Sequence, residues 1–71
     1  MEAWVAVDKD GSEYSFEMKP YRDYDEWRPV WDDGFEEYTN YMGLPKGSIK
    51  KLIGRELTWE DEPVELKPQQ S

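Results

Sequence analysis

Seventy-one residues with seventeen acidic and nine basic side chains carry a net charge of −8, which repels phosphate backbones and anionic headgroups and disfavours nucleic acid and membrane surfaces as partners. The chain holds neither cysteine nor histidine, which excludes a disulfide framework, a thiolate zinc site and any mechanism with imidazole as base or ligand. No apolar run exceeds five residues, too short for a membrane span or a secretory signal, so the expected compartment is the cytoplasm.

One small domain over residues 1–67, with a mobile tail at 68–71, is the organisation expected at this length. Without cross-links it must be stabilised by packing, and its four Trp, five Tyr and two Phe suit that task, each burying about 150–250 Å². Trp4-Val5-Ala6-Val7 is a β-branched and aromatic run, Asp8-Lys9-Asp10-Gly11 has turn chemistry, and Glu13 to Lys19 alternates polar and apolar. These predict an N-terminal hairpin with Gly11 at positive φ and Tyr14, Phe16 and Met18 on a single buried face. Pro20 ends it.

Tyr21 to Gly34 is aromatic-rich without a clean period and reads as a long, partly ordered connection in which Glu26-Trp27-Arg28 forms a short strand. Asp32-Asp33-Gly34 predicts a turn with Gly34 at positive φ, and Phe35 to Met42 a third strand closed by Gly43. The helical candidate is residues 44–54, where Ile49, Leu52 and Ile53 fall at i, i+3 and i+4, Ser48 is placed to cap and Gly54 to terminate. Leu57 to Glu62 reads as a tight turn and Pro63 to Lys67 as a last strand. The fold class is therefore α+β: a small antiparallel β-sheet of three to five strands, opened by the hairpin, with one short helix packed on one face.

Two stretches, Trp4-Val5-Ala6-Val7-Asp8-Lys9-Asp10-Gly11 and Thr58-Trp59-Glu60-Asp61-Glu62-Pro63-Val64-Glu65, together with Lys19-Pro20, resemble small uncharacterised proteins encoded by phages and prophage-like elements, particularly of gut Bacteroidetes. Those open with W-V-A-x-D-x-D-G and close with T-W-E-D-E-P-V-E. The resemblance covers about half of the chain and implies no activity and no catalytic residue.

Asp8-Lys9-Asp10-Gly11 lacks the further ligands of a calcium loop, the acids of the middle segment lack the deep pocket that glycosidase chemistry needs, and no glycine-rich loop precedes a Lys-Ser/Thr pair. No enzyme activity and no cofactor are expected. Charge is uneven, however. Asp23, Asp25, Glu26, Asp32, Asp33, Glu36 and Glu37 crowd the middle with two Arg, whereas Lys46, Lys50, Lys51 and Arg55 follow with no acid between them. Aromatics set among acids make a protein-binding surface, the rings anchoring and the charges steering. The expected function is a non-enzymatic protein-interaction module, with Tyr24, Asp25, Trp27, Trp31, Asp32 and Asp33 as contact residues. Trp4 and Trp59 are assigned to the core, while Trp27 and Trp31 fit core and surface equally. One alternative is that the acids imitate phosphates and inhibit a nucleic-acid-binding protein. Another is weak nucleic-acid binding through the basic helix. An edge strand also allows self-association.

Overall fold

In the computed structural model, which describes residues 3–67, the apolar run forms β1 (Ala3–Val7) and pairs antiparallel with β2 (Glu13–Phe16). Gly11 closes the turn at φ 92°, its N–H donating to Asp8 O at 2.9 Å, a conformation that costs L-residues about 1–2 kcal/mol. β2 stops three residues earlier than alternation suggests. The chain bends at Glu17-Met18, ahead of the buried Pro20, and Met18 is left 48% exposed. The mobile tail expected at residues 68–71 lies outside the described residues.

Residues 21–34 are not a loose connection. β3 (Tyr21–Asp23) and β4 (Glu26–Arg28) form a second hairpin, and β5 (Trp31–Asp32) pairs with β6 (Glu37–Tyr38) in a third. The turn between β3 and β4 is two residues long and contains no glycine; Tyr24 takes the positive φ, 57°. Three bonds dock this hairpin on the first. Asp8 Oδ1 accepts from Trp27 N–H (2.9 Å), Trp27 Nε1–H donates to Val7 O (2.9 Å) and Lys9 N–H donates to Asp25 O (3.0 Å). In the third hairpin Asp32 Oδ1 accepts from Gly34 N–H as the turn requires, but the positive φ falls on Glu36, at 52°, rather than on Gly34.

The expected strand over Phe35–Met42 is two strands in different sheets. Thr39 separates them: it is buried, and both its N–H and its Oγ1–H donate to Val30 O. Beyond it β7 (Tyr41–Leu44) joins β2, with Gly43 inside the strand opposite Tyr14 rather than ending it. β8 (Val64–Leu66) pairs with the other side of β1, giving the antiparallel order β7-β2-β1-β8.

Register assigns the two faces. Trp4 and Ala6 stand with Tyr14 and Phe16; Val5 and Val7 stand with Ser15 and Glu13. Contrary to a half-buried hairpin, both faces are covered. Phe16 and Ala6 pack beneath Trp27, with Trp4, Tyr14 and Trp59 half-buried around them. Val5 and Val7 pack with Ile49 and Leu57, flanked by Leu44, Ile53, Val64 and Leu66. Full burial of side chains such as Val5, Phe16 and Ile49 stabilises by about 1.5–3 kcal/mol each.

The helix, α1 (Ser48–Ile53), is six residues long, with Gly47 rather than Ser48 at the N-cap; Ser48 Oγ instead donates to Pro45 O. Its open N–H groups are met from β2. Glu13 Oε2 accepts from Gly47 N–H at 2.7 Å and Oε1 from Ile49 N–H at 2.8 Å. Gly54 ends the helix in the left-handed region, donating to Lys50 O. The apolar stripe is narrower than spacing predicts, because Leu52 remains 55% exposed.

Candidate functional site

The six contact residues expected from the sequence separate into three places. Tyr24, fully exposed, and Asp25 form the tip of the β3–β4 hairpin, beside the Asp8–Gly11 turn. Trp27 is core: its ring is buried, its Nε1–H is used by Val7 O, and it offers no surface to a partner. Trp31, Asp32 and Asp33 lie on the β5–β6 hairpin. The two tryptophans are separated by strand register, which places Trp27 over Phe16 and Ala6 and leaves Trp31 outside both core clusters.

The β5–β6 hairpin gathers more than the sequence suggests. Trp31 and Tyr38 are directly opposite, their rings edge to face at 5.0 Å and 84°, an arrangement worth about 0.5–1.5 kcal/mol beyond area burial. Both remain more than half exposed, and Phe35 at the loop is 76% exposed. Asp33, Glu36 and Glu37 are exposed on the same hairpin. Beside it runs a groove of about 210 Å³ faced by Glu17, Asp32 and Glu37 together with Phe35 and Tyr38. A second groove of about 230 Å³ lies between Tyr38, Tyr41, Tyr21 and Arg28. Tyr38 belongs to the aromatics that the sequence sets among the acids, whereas Phe35 was hidden by a continuous strand pattern; the Asp-Asp-Gly turn just before it was the available signal.

The acids are not equivalent. Arg28 holds Asp23 at 2.8 Å and Glu26 at 3.5 Å, so one positive charge is shared between two members of the acidic run. Asp25, Asp32, Asp33, Glu36 and Glu37 make no ion pair among the described residues. Lys50 and Lys51 lie in the last turn of α1, and Lys50 is engaged by Glu56 at 3.4 Å.

In the middle of β3, Arg22 caps the Trp27–Trp59 pair from one side, its guanidinium 4.6 Å from the Trp27 centroid and 4.7 Å from that of Trp59, and donates to Trp59 O. This stacking joins the hairpin to the turn before β8. Near it a cleft of about 480 Å³, larger than expected for so small a domain, is lined by Asp8, Lys9, Lys46, Leu57 and Trp59. Burial pushes the Asp8 carboxyl above its ordinary range, against the opposing effect of the Trp27 hydrogen bond. That oxygen serves the docking of β4, a structural task. Comparison with protein-family models, curated proteins and solved structures finds no match.

Proposed function

We propose that this chain is a non-enzymatic protein-interaction module whose β5–β6 hairpin binds a basic protein partner. The observation that carries the reading is the coincidence on one hairpin of three exposed rings, Trp31, Phe35 and Tyr38, with carboxylates that have no intramolecular counter-ion among the described residues. Rings that stay exposed in a chain so dependent on aromatic packing supply anchors, and unpaired acids around them supply steering. Trp31 and Tyr38 brace each other, so little ordering is left to be done on binding.

Capture from lysate, followed by kinetics with the isolated partner, tests this. The triple change Asp33→Asn, Glu36→Gln, Glu37→Gln slows association and flattens its salt dependence, whereas Trp31→Ala speeds dissociation. A partner that binds the wild type and both variants alike refutes the assignment. Phosphate mimicry draws less support, because Arg28 pairs with Asp23 and Glu26 and sets a positive charge within the row of acids. Nucleic-acid binding through α1 draws less still, with Lys50 engaged by Glu56.

A further inference from the structure

The central sheet has two edges that differ in kind. β8 begins after the buried Pro63, which has no N–H, and carries Glu65 beside Lys67; proline and charge are how natural sheets blunt an edge. β7 reads Tyr-Met-Gly-Leu, with no charge and no proline, and Tyr41 and Met42 are 56% and 61% exposed.

The register shows which backbone groups this open edge presents. Glu17 N–H donates to Asn40 O at 2.9 Å, so in the antiparallel alternation the pairs Ser15–Met42 and Glu13–Leu44 share that hydrogen-bonded phase. Tyr41 and Gly43 fall between them. Their N–H and C=O groups point away from β2, and no strand pairs with that side among the described residues.

We propose that β7 receives an extended segment of a basic protein partner, which adds as a further strand through the N–H and C=O groups of Tyr41 and Gly43. This rests on the reading of the β5–β6 hairpin as a partner surface and adds the backbone mode by which the partner is held. Charge selects the occupant. The groove at Thr39 and Asn40, immediately before β7, is faced by Glu17, Asp32 and Glu37 with the Phe35 and Tyr38 rings and is lined by no Lys or Arg, whereas along β7 itself Arg28 stands near Tyr41 and Lys46 near Gly43 and Leu44. None of the groove's three carboxylates has an ion pair among the described residues. A Lys or Arg projecting from the added strand meets both carboxylates and ring faces there. A second copy of the chain instead carries the same net charge of −8 and is repelled as a whole.

Amide hydrogen exchange read by NMR tests this directly. In dilute free protein Tyr41 and Gly43 exchange fast, while Met42 and Leu44, bonded to β2, exchange slowly. The probe is a capped hexapeptide alternating Lys and Val. Its addition slows Tyr41 and Gly43 by at least about tenfold; the same peptide N-methylated throughout, and a Glu-Val counterpart, do not. An equal effect from either control overturns the proposal, and so does the absence of any effect at millimolar peptide. Concentration-dependent protection of both amides without peptide assigns the edge to a second copy and also overturns it. Peptide shifts confined to the β5–β6 hairpin, with Tyr41 and Gly43 still fast, overturn strand addition while leaving the acidic aromatic face standing. Protection that survives Asp32→Asn with Glu37→Gln upholds strand addition and removes the face.

Discussion

Replacing Glu13 by Ala removes both acceptors at the start of α1, leaving Gly47 N–H and Ile49 N–H without a partner. A hydrogen bond to a charged group contributes about 1.5–3 kcal/mol. The site is half-buried, so water compensates in part, and the expected loss is about 2–4 kcal/mol for the pair. A domain of this length has a total stability of only about 4–10 kcal/mol. Six residues cannot hold a helix unaided, but Ile49 keeps α1 on the Val5–Val7 face, so the loss is that of the two bonds. In urea, with a slope near 1 kcal/mol/M, the midpoint drops by about 2–4 M. Glu13→Gln, which keeps one acceptor oxygen, loses about half as much. Glu17→Ala, on the same strand face but exposed, stays within about 0.5 kcal/mol of wild type. A Glu13→Ala midpoint equal to that of Glu17→Ala refutes the capping argument.

Phe16→Ala, at the centre of the face under Trp27, costs about 3–5 kcal/mol; denaturant melting close to wild type contradicts the assigned faces. Tyr24→Gly relieves the positive φ at the β3–β4 turn and, after the flexibility glycine adds to the unfolded chain, stabilises by about 0.5 kcal/mol, read as a rise of about 2–4 °C in Tm; a fall refutes it. Asp8 binds its proton more tightly folded than unfolded, because burial raises its carboxyl above the ordinary 3.8. Its contribution to stability is therefore greatest below that value and declines as pH rises through the raised one. Asp8→Asn keeps an acceptor for Trp27 N–H and removes the decline, so as pH rises above 3.8 its urea midpoints lose less than those of wild type; parallel profiles refute this. Asp10 and Asp61, lowered by the N–H groups of Ser12 and Thr58, act with the opposite sign, losing their contribution as pH falls through their lowered values.

The first hairpin was legible because its strands and its turn are each specified locally, by β-branched residues and by a glycine where positive φ is needed. The second was not: its turn uses Tyr24, an L-residue, in the conformation that glycine usually marks. Alternation placed Glu13 on the strand face away from Phe16, correctly, but could not reveal that α1 lies over that face and uses the carboxylate. A different clue was present in Ala-Trp-Val-Ala-Val itself, apolar at every position, as a strand covered on both faces must be. In the candidate site, Asp32 and Asp33 announced a turn, whereas the unlike fates of Trp27 and Trp31 depend on long-range register. The exposure of Phe35 was hidden, because the break at Thr39 depends on a contact nine residues away.

The packing of Trp27 against Trp59 makes the molecule its own spectroscopic reporter. Their indoles stand 5.7 Å apart at 64°, and coupling between electronic transition dipoles falls with the cube of separation, so the two rings absorb as a pair and give an exciton couplet in circular dichroism. One ring comes from β4 and the other from the turn before β8, 32 positions along the chain, and the couplet exists only while both segments are docked on the sheet with Arg22 against both rings. Trp31, half in water, belongs to a separate hairpin and emits as a solvated indole. Dichroism of the Trp27–Trp59 pair thus follows the docking of β4 and of the turn before β8 in the unmodified chain.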